Sequence, residues 1–235
     1  MRQHQGRGWV VRTLLMGGVA AGLIGSAEGL ASGRGATPPP SGFAFHDGPP
    51  ARVTGGFSED SCAACHREWE ANEGPGGLRL IGLPDEIIPG SRIPLTVELV
   101  HGGMARSGFQ MAVRWAESGE QAGVLVPAPS EADRVAQVES RMIHFVQHKA
   151  LGTDVVAPDT ARWNVEWVVP SASPERPISS WTIHIAAVAA DGDESQMGDY
   201  PYTLERSGSV AVSPPCWAGF HCHGGISGLF GRSPR

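Results

Sequence analysis

Lysine is almost missing from this chain: one residue, Lys149, stands against seventeen arginines, and only 18% of the 235 residues are charged. With a formal net charge of −6 and no cluster of basic residues, the sequence lacks the means to neutralise a run of phosphates, so a nucleic-acid partner is excluded. No acidic or basic tail points to a polyelectrolyte partner, and no internal repeat is visible. A second long hydrophobic run is also absent, so no membrane span is expected beyond the N-terminal region. No long stretch at helical period occurs between residues 78 and 206, which argues against a bundle or a βαβ fold. Nor does any Ser/His/Asp arrangement or phosphate-cradling glycine loop stand in a convincing context. Gly74 to Gly77 lacks the strand-to-helix setting that such a loop needs.

What is present begins with an export signal. Arg2, Arg7 and Arg12 form a positive leader, Thr13 to Ile24 an apolar stretch, and Ser26, Ala27 and Ala31 offer small residues for cleavage. The apolar stretch is shorter than the roughly 20 residues a membrane span requires and is broken by Gly17, Gly18 and Gly22. Residues 1–31 are therefore expected to be a signal peptide, leaving a periplasmic or secreted chain. Cleavage before Ser32 removes three arginines and Glu28, moving the charge from −6 to −8.

Residues 32–58 are rich in Gly, Pro, Ser and Ala and read as a linker and lead-in. From residue 78 to 206 short runs rich in Val, Ile, Thr and Trp alternate with turn residues, the pattern of an all-β domain. Ile93, Leu95, Val97 and Leu99 share a face at period two, as do Phe109, Met111, Val113 and Trp115. Trp163, Val165 and Trp167 repeat the pattern, and so do Trp181, Ile183 and Ile185. Such runs predict two antiparallel sheets packed face to face, with the tryptophans read first as core. One short helix is expected over residues 61–72, capped by Asp60 or Ser61 and stopped by Gly74-Pro75.

The four cysteines fall into two groups. Cys62-Ala-Ala-Cys65-His66 has the haem c attachment spacing, in which two thiols three residues apart bond the two vinyl groups and the adjacent imidazole reaches the iron. A redox pair, half of a zinc site and a plain disulfide are the competing readings. The first needs a βαβ setting and the second two further ligands at close spacing. Residues 59–77 are accordingly assigned to haem attachment, with Cys62 and Cys65 as the thioether residues and His66 as the proximal ligand. In the tail, residues 207–235, Cys216 and Cys222 close a small loop most simply; a second haem ending in Cys222-His223, or a metal site that adds His221, is the sharper reading.

The stretch from Gly48 through Cys62-Ala-Ala-Cys65-His66 resembles the lead-in segment of bacterial exported proteins with a reelin-like (reeler-type, choice-of-anchor V) β-sandwich. Gly108-Phe-Gln-Met, Phe145-Val-Gln-His148-Lys-Ala-Leu-Gly152-Thr, Trp163 to Pro170, Ile183 to Ser195 and Gly198-Asp-Tyr-Pro-Tyr-Thr203 are similar to further family motifs in the same order. The resemblance spans about residues 48 to 205 and implies an immunoglobulin-like, reelin-type sandwich preceded by the haem segment. The family's anchoring segment has no counterpart in residues 207–235.

The expected function is that of an exported monohaem c-type cytochrome, an electron carrier rather than an enzyme, serving a redox partner not named by the sequence. A surface binding or adhesion module with a Cys62–Cys65 disulfide is the alternative, as is a haem sensor or enzyme with an open iron site. Covalent haem separates the binding module from the two haem readings, and the sixth iron ligand separates those two from each other. His148 is favoured because its segment matches a family motif and ends a strand; His101, Met104, His184, Met111 and the tail histidines are the other candidates. His184 and Met111 read more simply as structural. Asp191-Gly-Asp-Glu with Asp199 is a carboxylate group whose spacing matches no calcium loop.

Overall fold

The computed structural model describes residues 45–171 and 178–211. Residues 1–31, expected to be a signal peptide, and the tail residues Cys216, His221, Cys222 and His223 lie outside them.

Alternating apolar residues make nine strands. They are β1 (Gly77–Ile81), β2 (Arg92–Val100), β3 (Arg106–Trp115), β4 (Val124–Pro127), β5 (Val135–Ser140), β6 (Ile143–His148), β7 (Thr160–Val168), β8 (Ile178–Ala190) and β9 (Tyr200–Ala211). One sheet has the order β1-β2-β7-β4, the other β5-β6-β3-β8-β9, and every strand pair within them is antiparallel. The protein is thus an all-β antiparallel sandwich. β9 runs on to Ala211, so the last strand takes in the first five residues of what reads as tail.

The core lies between the sheets, because the faces that the period-two pattern singles out meet there. Leu95, Val97, Leu99, Val165 and Trp167 pack from one side and Phe109, Met111, Val113, Ile183 and Ile185 from the other. Phe109 stacks on Trp163 with ring centroids 4.5 Å apart, and Trp167 meets Trp181 edge-on at 5.1 Å. Two indoles satisfy their N–H groups inside the core: Trp163 donates to the Gly152 carbonyl at 2.7 Å and Trp167 to that of Ala122 at 2.9 Å. Trp69 is the exception, on the surface and stacked on Tyr200.

The second sheet is covered on its other face too, by residues 45–59 of the lead-in. Gln110, fully buried on that face, donates to the carbonyl of Pro50 and accepts from the N–H of Val53. Arg114 pairs with Glu59 and lies between the rings of Phe57 and Phe145, 5.1 and 5.5 Å from their centroids. A Gly/Pro-rich segment too polar to fold alone is ordered here because the sheet offers it buried polar partners, each side satisfying the other's hydrogen bonds.

The helix expected over 61–72 does not form. Within those residues the only helical piece is a 3-10 turn, Cys62–Ala64, with the Ser61 hydroxyl accepting from the N–H of Ala63. Beyond it the chain is held out along the start of β9. Asn72 exchanges side-chain and backbone hydrogen bonds with Thr203, and its own N–H donates to the carbonyl of Pro201. The path from Asp199, where His66 is tied, to Thr203 is about 13 Å of strand at ~3.3 Å per residue. Six residues of α-helix would rise only about 9 Å. A short helix without an apolar face contributes too little to win against these contacts.

Candidate functional site

The turn after Ser61 places the motif side chains. The N–H groups of Cys65 and His66 both donate to the Cys62 carbonyl, at 3.2 and 3.0 Å, which wraps Cys62, Cys65 and His66 around one turn. All three line a single cavity of about 570 Å3, inside the roughly 300–1,000 Å3 typical of small-molecule and cofactor sites.

The rest of the wall comes from distant parts of the chain. Phe45, His46, Pro49, Pro50 and Val53 of the lead-in close one side. Arg106 and Gly108 of β3 lie opposite Ala190 and Val188 of β8, and these small side chains leave room above the sheet. The loop between β8 and β9 adds Gly192, Met197 and Asp199. This loop is shaped by its own carboxylates: Asp191 accepts from the N–H of Asp193, and Asp193 from the N–H and hydroxyl of Ser195. Those bonds hold the Asp193 carboxyl below the usual carboxylate range. Asp191 and Asp193 thus serve as turn-formers, and among the described residues no group of three or more His, Cys, Asp or Glu is gathered for a metal ion.

His66 has one committed nitrogen. Its Nδ1 donates to Asp199 Oδ2 at 2.6 Å, and the carboxylate side chain is 1% exposed. Nε2 is then the nitrogen with the lone pair. Cys62 and Cys65 are free thiols. Burial, reinforced by the neighbouring Cys65, pushes the Cys62 thiol up to about 12, against a smaller lowering by a backbone hydrogen bond. A thiol held protonated differs from the acidified thiolates of redox-active Cys-X-X-Cys pairs.

His148 lines the same cavity, so the structure brings together all four residues singled out in the sequence. Both of its nitrogens are engaged: Nδ1 accepts from the N–H of Phe109 and Nε2 donates to the carbonyl of Phe45, each at 3.0 Å. Burial pulls its pKa below the ordinary histidine value, partly offset by its backbone hydrogen bonds. Of the other suggested sixth ligands, the tail histidines lie outside the described residues and the rest lie away from the cavity. His101 is bonded to the Tyr202 hydroxyl at 2.6 Å, Met104 and Met111 are core, and His184 packs edge-on against Phe57. Three cavity residues were not found as such by sequence reasoning. His46 carried no signal, Met197 sits in a loop without periodicity, and Asp199 was grouped with the loop acids although it belongs to Gly198-Asp-Tyr.

No family model and no curated protein sequence matches this chain. Among solved structures, the human F-spondin reeler domain is similar at 17% identity and a TM-score of 0.40, over 61% of this chain and 94% of that one. The Reelin-N domain of F-spondin is similar at 18% identity and a TM-score of 0.40, over 65% and 97%. A type II cohesin domain from the cellulosome of Acetivibrio cellulolyticus is similar at 10% identity and a TM-score of 0.30, over 56% and 94%.

Proposed function

We propose that this chain is an exported c-type haem protein that carries electrons, with the haem held by Cys62 and Cys65 against a reelin-type β-sandwich. The observation that carries the reading is that Cys62, Cys65 and His66 face one cofactor-sized cavity whose remaining wall comes largely from apolar and small residues.

The donor set fits the group. Cys62 and Cys65 would hold the group through two thioethers, an S–H adding across each vinyl C=C with the sulfur on one carbon and the hydrogen on the other, and a protonated thiol supplies both atoms. His66, with Nδ1 occupied by Asp199, would offer Nε2 to the iron. The bound haem iron supplies a one-electron ferric/ferrous couple. The protein's part is to hold that group, limit water around it and tune it. Among the described residues no helix is long and apolar enough to cross a membrane, and the signal sequence points to a periplasmic or secreted setting with a separate redox partner.

Three further donors line the cavity wall and would be available to the iron: His148, His46 and Met197. His148 remains the donor favoured by the sequence, and it ligates only by releasing Nε2 from the Phe45 carbonyl. The test is a pyridine haemochrome assay on protein exported alongside the haem c maturation machinery, comparing wild type with Cys62→Ala/Cys65→Ala. Covalent haem in the first and none in the second is expected. No covalent haem in either overturns the reading in favour of a disulfide-bonded binding module, and carbon monoxide binding to the untreated ferrous protein would replace the electron carrier with a haem sensor or enzyme.

A further inference from the structure

Among the described residues, Asp199 is a buried charged group whose placement the proposed function leaves unexplained. Asp199 is 1% exposed, yet no arginine or lysine pairs with it. Its hydrogen bonds are to His66 Nδ1, at 2.6 Å, and to the backbone N–H of Asp191, at 3.3 Å. A carboxylate taken out of water needs strong compensation, and here most of it comes from one imidazole N–H through a short, charge-assisted bond.

The placement is itself braced. Glu68, two residues after His66, accepts from the N–H of Gly198 at 2.6 Å, so the motif segment and the β8–β9 loop hold each other in two places. Asp199 then begins the approach to β9, where Tyr200 and Tyr202 are anchored under Trp69 and Gly76. An imidazole in this position cannot rotate without stranding a buried carboxylate, which fixes both the tautomer and the ring plane.

We infer that Asp199 is a positioning residue for His66 that places negative charge behind the ligand nitrogen and thereby lowers the reduction potential of the site, an inference that rests on the haem reading above. A carboxylate acceptor draws the Nδ1 proton towards itself and enriches Nε2 in electron density, making the imidazole a stronger donor to the more oxidised metal. A neutral acceptor such as a backbone carbonyl would fix the same tautomer without that bias. The charge, more than the hydrogen bond, is therefore the functional element, and the ferric state is the one it favours.

The experiment uses the full chain and three arms. In the apo protein, histidine 15N shifts should show His66 protonated at Nδ1; a proton on Nε2 would overturn the inference before any haem is considered. In the haem-loaded wild type, confirmed by the haemochrome assay, the Nδ1 shift should move towards imidazolate relative to a simple imidazole–haem complex, and an unmoved shift would overturn it. Potentiometry on Asp199→Asn, which keeps an acceptor oxygen but loses the charge, should then favour the ferrous state at least tenfold, about 59 mV upward for a one-electron couple. Asp199→Glu should retain the wild-type side of that gap. A haem-loaded Asp199→Asn protein with an unchanged potential overturns the inference while leaving the haem reading intact, whereas a wild type without covalent haem removes both. If the asparagine variant fails to fold, the two wild-type 15N measurements decide.

Discussion

Glu59 fastens the lead-in over the second sheet, and its replacement by glutamine is the sharpest test of how that cover is held. Its side chain is 1% exposed and accepts from Arg114, itself 5% exposed, from Arg52 at 3.3 Å and from the Thr54 hydroxyl at 2.9 Å. Glu59→Gln removes the charge and leaves the Arg114 guanidinium buried beside a neutral amide. Breaking one side of such a pair costs about 3–5 kcal/mol, a large share of the roughly 5–15 kcal/mol that holds a typical domain together. The rings of Phe57 and Phe145 flanking Arg114 soften this, each contact being worth about 0.5–2 kcal/mol, so a loss of roughly 2–4 kcal/mol is expected. Urea unfolding followed by tryptophan fluorescence measures it, since Trp163, Trp167 and Trp181 report the core. The double variant Glu59→Met/Arg114→Met, which removes both charges, should recover most of the loss. A single variant within about 1 kcal/mol of wild type would refute the view that this pair is buried and holds the lead-in down.

Two further predictions concern buried histidines. A methyl group on Gly108 would lie 2.7 Å from Cε1 of His148, so Gly108→Ala should displace the ring, break its bonds to Phe45 and Phe109 and cost about 1–3 kcal/mol; the penalty should vanish in a His148→Ala background, and an additive cycle would disprove the contact. Acid should destabilise the protein through His148 and His101, whose pKa values burial holds below normal, Asp159 opposing the effect at His101. Below about pH 6.5 the unfolded chain takes up protons that the folded one refuses, so stability present above that pH falls by up to about 1.4 kcal/mol per pH unit for each histidine. Denaturant titrations from neutral pH downward should show this slope, and His148→Gln should reduce it; a slope unaffected by that change would sink the assignment.

The sandwich was legible because its strands obey one rule that needs no knowledge of the partner sheet: alternate residues from Ile93 to Leu99, or from Phe109 to Trp115, must face apolar surroundings. The same rule misleads on the second sheet's other face. Alternation alone would turn Gln110 and Arg114 to solvent, yet both are buried, because the lead-in supplies acceptors and donors that alternation does not register. The motif Cys62, Cys65 and His66 was visible from spacing, but its local conformation was not. Residues 61–72 carry adequate helical propensity, and what decides their path is a set of contacts with residues 198–203, more than a hundred positions along the chain. Asp199 was hidden for the same reason, since its role is defined by the histidine it meets rather than by the acids beside it. The room for the cavity did leave a trace: Val188 and Ala190, in an alanine-rich end of β8, put short side chains on its wall beside Gly108 of β3.

The bond between His66 and Asp199 joins residues 133 positions apart, which gives the site a sense of time. The Cys62–His66 turn closes through bonds within five residues and is complete as soon as that short stretch of chain exists. Its carboxylate arrives with β9, the last strand to be made, and the connection requires the longest loop closure in the site. The thiols of Cys62 and Cys65 are thus in place before the wall around them is complete, and the imidazole gains its negative neighbour only when that strand docks. On the proposed haem reading, attachment at the thiols and tuning through Asp199 would be two separate events, the second waiting on the docking of β9.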